Sequence, residues 1–134
     1  MAYYVDSDIT YGAAVTATAM NVPAHQINDI LFMWVVINTN TTPTITTGTG
    51  WAAFVAETTN TTNSSYWTWK RAASAAEAIS ITTADDFTCS IHCIRDVDTT
   101  TALLYMPSRG LIILSGGILM LKQQHPLLLP PVHI

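Results

Sequence analysis

Cys89, His92 and Cys93 form a C-x2-H-C pattern, three metal-competent side chains within one short stretch. A structural zinc site takes four such ligands converging from turns or separate elements. The stretch FTCSIHCI, residues 87–94, reads instead as a strand. Alternation then puts Phe87, Cys89, Ile91 and Cys93 on one side and Thr88, Ser90, His92 and Ile94 on the other. His92 is directed away from both thiols, so no metal is expected. At about 3.3 Å per residue the cysteines stand about 13 Å apart, beyond the roughly 7 Å that a disulfide spans. Two free, buried thiols are expected.

Other groups with chemical potential have equally plain readings. Asp85 and Asp86 head a strand and read as a solvated turn, because general acid/base work needs a partner across a cleft. Asp6, Asp8 and Asp29 lack the ligand spacing of a calcium loop. His25, His125 and His133 lie in loop or tail segments, and no G-x-S-x-G, H-E-x-x-H or P-loop pattern is present. Asn40, Asn60 and Asn63 open N-x-[ST] triplets of the kind a threonine-rich chain produces by chance. These features predict a protein without catalytic residues, cofactor or metal.

The aromatic residues carry the remaining binding chemistry. In SYWTWKRA, Tyr66, Thr68 and Lys70 share one face, and Trp67, Trp69 and Arg71 the other. Splitting Lys70 from Arg71 removes the case for a basic patch. Tryptophan buries more surface than any other side chain, so the rings of Trp51, Trp67 and Trp69 are expected in a core between two sheets. The competing reading makes Tyr66, Trp67 and Trp69 a contact surface for a glycan or a partner.

The elements that position these residues are strands. DILFMWVVI, residues 29–37, is a continuous apolar run of the kind covered on both faces. Residues 39–50 supply loop chemistry through Pro43, Gly48 and Gly50. Strands are predicted over Trp51–Thr58, through SYWTWKRA, over residues 77–83 and over residues 87–94, with a short helical turn at residues 72–77. The reading is an all-β, antiparallel β-sandwich of jelly-roll type in a single domain of 134 residues. Threonine supplies about a sixth of the chain and charged residues only 10 %, with a net charge of −4. Hydroxyls thus replace the usual surface charges, which suits a crowded assembly. Five basic residues cannot track a phosphate backbone, so nucleic acid is not an expected partner. The opening AYYVDSDITYG has no apolar signal core, and synthesis in a cytoplasm is expected.

One ordered set of motifs carries a resemblance. DILFMWVVIN, TPTIT, GTGW, YWTWKRAA, EAISIT and IRDVDTTT follow one another over about residues 27–101. In this order they resemble a recurring β-sandwich module in virion structural proteins of tailed bacteriophages. The resemblance implies location in the virion and contacts with other capsid or tail proteins, with capsid decoration or cement as the simplest role. The alternative it implies is a tail or fibre adhesion module that binds host-surface glycan. The chain departs from the pattern at Asp96, where glycine is usual, and at Ala102, where proline is usual.

At that second departure the chain changes character. All nine acidic residues lie at or before Asp98, and Arg109 and Lys122 are the permanent charges beyond it. The two basic residues leave about a dozen residues between them, too few for the roughly 20 apolar residues of a membrane span. The division is therefore a β-sandwich domain over residues 1–101 and an apolar tail over residues 102–134, which completes the sheet or makes contacts between subunits in a homo-oligomer. Leu111, Ile112, Ile113, Leu114, Ile118, Leu119 and Leu121 are the candidate inter-subunit residues. A different origin for the tail is a shifted reading frame: codons can be chosen for Gly117–His125 that, read two bases later, give an acidic stretch, and for Ala102–Leu103 that restore a proline after the threonines, which shows compatibility alone. Gene sequence together with intact mass separates the two.

Overall fold

The chain is described by a computed structural model covering residues 2–58, 63–97, 104–106, 111–114 and 117–120, the last three stretches in their backbone. It is all-β and antiparallel, with no helix among the described residues. The strands are β1 (Tyr3–Gly12), β2 (Thr18–Ala19), β3 (Ile30–Ile37), β4 (Thr44–Thr47), β5 (Val55–Thr58), β6 (Ser64–Arg71), β7 (Ser80–Thr82), β8 (Phe87–Arg95), β9 (Leu104–Met106), β10 (Leu111–Leu114) and β11 (Gly117–Met120).

Three pairings set the topology: β1 with β8, β2 with β7 and β3 with β6. That nesting is the signature of a long antiparallel hairpin. Rolling the hairpin up adds the pairs β3 with β8 and β4 with β7, and yields a five-stranded sheet ordered β1-β8-β3-β6-β5 and a three-stranded sheet ordered β2-β7-β4. This is a jelly-roll sandwich. Its one irregularity is β5, which pairs with β6 at the edge of the larger sheet and leaves β4 as an edge of the smaller one. Strands β9, β10 and β11 pair with one another in a separate three-stranded sheet.

The space between the two sandwich sheets is filled from both sides. Leu31, Met33, Val35 and Ile37 of β3, Tyr66 of β6, and Phe87, Cys89, Ile91 and Cys93 of β8 pack with Ile81 of β7, Ile79 and Met20. Burying each such side chain contributes about 1.5–3 kcal/mol. The apolar run in β3 is continuous because β3 is the central strand and its alternate residues Ile30, Phe32 and Trp34 are buried on the opposite face.

One strand is added to the expected set and three local expectations are revised. β1 arises from AYYVDSDITYG, which shows no clean alternation, because Tyr3, Tyr4, Ile9 and Tyr11 are exposed at an edge held by its ladder to β8. Gly12 permits the last pair of that ladder, since the ring of Phe87 stands 2.1 Å from where its Cβ would be. β4 lies inside the stretch read as loop, with Ile45 anchoring it to the core. In the predicted strand 51–58 only Val55–Thr58 is extended in a ladder, and Trp51 and Phe54 instead pack on the inter-sheet core. Residues 72–77 form bends rather than a helical turn, because Glu77 Oε1 accepts the N–H groups of Ala73 and Ser74 at 2.7 and 3.1 Å.

Val15 and Asp96 occupy the left-handed region at φ 52° and 60°. A β-branched residue is badly placed there, whereas aspartate is tolerated. Glycine at either position is expected to stabilise the fold, by about 1 kcal/mol for Val15→Gly and about half that for Asp96→Gly. Val15 is 79 % exposed, so no packing is lost with its side chain. Urea denaturation of the two variants measures both shifts.

Candidate interaction face

Strand parity and pairing register together define the outer face of the five-stranded sheet, the side turned away from β2-β7-β4. Four rows cross it. Tyr4, Ile94, Ile30 and Arg71 form the first, and Ser7, His92, Phe32 and Trp69 the second. Ile9, Ser90, Trp34, Trp67 and Val55 form the third, and Tyr11, Thr88, Val36 and Ser65 the fourth. Ile30, Phe32, Trp34, Trp67, Ile94 and Val97 make a second buried cluster, with Ala2 and Trp69 packed against it. Phe32 stacks on Trp67 with centroids 5.4 Å apart at 26°, and lies 6.2 Å from Trp34.

The expectation that all the tryptophan rings lie between two sheets is thus corrected for two of the three. Trp67 and Trp69 do share a face, but it is the outer one, and Tyr66 occupies the inter-sheet core at 1 % exposure. Period two fixes which residues go together; which side meets the smaller sheet depends on inter-sheet packing. Tyr66 therefore forms no common surface with Trp67 and Trp69, of which Trp67 is buried and Trp69 half-buried. Of the candidate inter-subunit residues, Leu111–Leu114 make up β10, Ile118 and Leu119 lie in β11, and Leu121 is outside the described residues.

The groups with chemical potential are engaged in structure. Cys93 Sγ donates to Asp29 Oδ2 at 3.3 Å, on the inner side, while His92 stands on the outer side with Nε2 3.1 Å from Ser90 Oγ and its ring 6.0 Å from that of Tyr4. Among the described residues no three His, Cys, Asp or Glu side chains are gathered as metal ligands. Buried Asp29 also accepts from Arg95 Nε at 3.0 Å, Arg95 Nη2 at 2.8 Å and the Gln26 N–H at 2.8 Å. This bidentate pair locks the start of β3 to the end of β8, a link that only the pairing register reveals. Asp86 Oδ1 accepts the Ala14 N–H at 2.8 Å, and Asp85 Oδ1 that of Asp86, so the two carboxylates hold a turn. Lys70, on the strand face it shares with Tyr66 and Thr68, is buried in an ion pair with Glu77 at 2.7 Å.

Burial raises the Cys89 thiol to about 12. Burial, followed by the hydrogen bond to the Asp29 carboxylate, does the same for Cys93. Neither is a thiolate at neutral pH. Both are expected to resist a thiol-specific disulfide reagent in the folded protein and to react fully in denaturant; rapid labelling without denaturant contradicts this placement.

Three further groups make the fold acid-sensitive. Burial lowers the pKa of His92. For Asp29, burial pushes upward but is outweighed by hydrogen bonds from Arg95, Gln26 and Cys93; for Glu77 it is outweighed by Lys70, Ala73 and Ser74. Each folded-state pKa lies below its unfolded value, so on acidification the unfolded chain takes up protons first and stability falls. A first decline is expected below about pH 6.5 from His92, and a second below about pH 4 from the carboxylates. Denaturation midpoints across this range test both, and His92→Gln removes the first.

No protein-family model matches the chain, and neither does any curated protein or solved structure.

Proposed function

We propose that the chain is a non-enzymatic structural subunit of a tailed-bacteriophage particle, acting as a capsid decoration or cement protein that stabilises the shell through contacts between subunits. One observation carries the reading: the larger sheet is apolar on both faces, one packed on β2-β7-β4 and the other built from Ile30, Phe32, Trp34, Trp67 and Ile94. A sheet of this kind is made to be layered. Jelly-roll sandwiches are a common architecture of capsid and lectin domains, and fold alone does not decide among their uses. The resemblance over about residues 27–101 supports the virion, and Asp96 adopts a left-handed conformation at the position where the resembled pattern carries glycine. The use of Cys93, Asp29, Asp86 and Glu77 as structural acceptors and donors fits an inert scaffold.

A second reading, a tail or fibre module that binds host glycan, draws on half-buried Trp69 and on the exposed hydroxyls of Thr41, Thr42, Thr44, Thr46, Thr47 and Thr49. Mass spectrometry of purified virions tests both. Hundreds of copies per particle mean shell and a handful mean tail; absence from virions rules out the proposal. A glycan array separates adhesion from cement, with saturable binding lost in Trp69→Ala as the adhesion outcome.

A further inference from the structure

The two sandwich sheets have four strand edges, β1 and β5 on the larger and β2 and β4 on the smaller. An edge strand turns backbone N–H and C=O groups outward for a further strand to pair with, and charges, bulges or shortness commonly guard against this. β1 carries exposed Asp6 and Asp8 and a break in register between Tyr4 and Asp6. β5 carries Glu57 and a break between Ala56 and Thr58. β2 is two residues long. β4 has a break as well, between Ile45 and Thr47, but it has no charge, and no charged residue lies anywhere between Asp29 and Glu57.

The edge of β4 is open for a reason visible in the topology. The nesting of β1 with β8, β2 with β7 and β3 with β6 calls for β4 with β5 as its last rung, and that rung is missing. The segment entering β5 is tied to β6 instead. The Ala52 N–H donates to the Trp69 carbonyl at 3.0 Å, the Ala52 carbonyl accepts from Thr68 Oγ1, and the Thr49 carbonyl accepts from Lys70 Nζ. Trp51 and Phe54 pack on the inter-sheet core and anchor the same crossing. On its inner side β4 is held by buried Pro43 and by Ile45 against the core. Thr44, Thr46 and Thr47 are exposed, and β7 is the one described strand that pairs with β4.

We infer that the open edge of β4 is an interaction surface which takes the same edge of a second copy of this chain, joining two three-stranded sheets into one of six, ordered β2-β7-β4-β4-β7-β2. Antiparallel pairing of a strand with itself is a two-fold, self-complementary contact, and main-chain hydrogen bonds supply its affinity. Charge selects the occupant. Each copy carries a net charge of −4, and pairing at β1 or β5 would set carboxylates of the two copies against each other, which is destabilising. At β4 threonines meet threonines, a favourable cross-strand pair. An edge without charge is what a like-charged copy requires, whereas a cationic strand would be drawn to β1 or β5. Four residues per copy cover much less than the roughly 800 Å² per partner of a stable dimer. The contact is therefore weak in dilute solution and gains strength where many copies are held side by side. It gives the proposed assembly function a partner but rests on sheet topology, not on the phage resemblance.

The test uses the full chain. Sedimentation velocity between about 10 µM and about 1 mM is expected to show reversible self-association. Over the same range, amide hydrogen exchange is expected to slow with concentration at residues 44–47 and to stay constant in β1. Thr46→Lys brings two ammonium groups to the contact from a position exposed in the single chain. It is expected to weaken association at least about tenfold with the urea midpoint of the dilute protein unchanged. Ile9→Lys adds the same charge at the exposed edge β1 and is expected to leave association as it was. A monomeric wild-type chain at every concentration overturns the inference, as does association without slowed exchange in β4, or an equal effect of the two lysines. Self-association through β4 by a protein missing from purified virions leaves this inference standing and removes the phage assignment.

Discussion

Glu77→Ala is expected to destabilise the protein by about 3–5 kcal/mol, a fall in Tm of roughly 10–20 °C. Glu77 Oε2 pairs with Lys70 Nζ at 2.7 Å, and the side chains are 9 % and 8 % exposed. Lys70 Nζ donates in addition to the Thr49 carbonyl, and Glu77 Oε1 holds the N–H groups of Ala73 and Ser74. The Glu77 N–H donates to His25 Nε2 at 3.0 Å, and His25 Nδ1 lies 2.7 Å from the Pro23 carbonyl, which can only accept. His25 thereby accepts at Nε2 and donates at Nδ1. Removing the carboxylate strands an ammonium in a nearly dry site and frees the 73–77 bend together with the β3 approach at Pro23–His25. Most of the cost comes from the unpaired charge, so Lys70→Met combined with Glu77→Leu is expected to recover most of the loss. Glu77→Ala also flattens the decline in stability below about pH 4, since the group whose pKa is lowered is gone. A single-variant loss under about 1 kcal/mol contradicts the burial of this pair.

Trp67→Ala is expected to cost about 3–5 kcal/mol, the range for deleting a buried tryptophan. Trp67 is 8 % exposed, stacks on Phe32, and sits in register between Trp34 and Val55 in the third row of the outer face. Its removal opens a cavity in the middle of a sheet face that has no slack to refill it. Trp69→Ala, at a half-buried site two residues on, is expected to cost less than half as much. Paired denaturation curves measure the difference, and equal costs contradict the row assignment. The contrast also matters for function: a glycan-binding loss in Trp67→Ala confounds binding with stability, whereas Trp69→Ala separates them.

Much of this architecture was legible in local pattern. The run from Ile30 to Ile37 reads as a strand covered on both sides, and β3 is the central strand of a sheet with two apolar faces. Alternation in FTCSIHCI places His92 opposite Cys89 and Cys93, and the distance along one strand keeps the thiols apart; both cysteines are free and buried. These follow from the two-residue period of a strand, a property of the backbone that needs no knowledge of the partner.

What local pattern could not reach were the contacts between residues far apart in the chain. The N-terminal strand β1 takes its extended form from β8, more than seventy residues away, so its own residues show little sign of it. Lys70 is an ordinary polar strand residue until the roll-up brings Glu77 and Thr49 around it. Alternation alone already separated Tyr66 from Trp67. Which of the two would lie inside the sandwich was decided only when the smaller sheet packed against one face, because both faces are apolar enough to bury and only the three-dimensional pairing of layers breaks that tie.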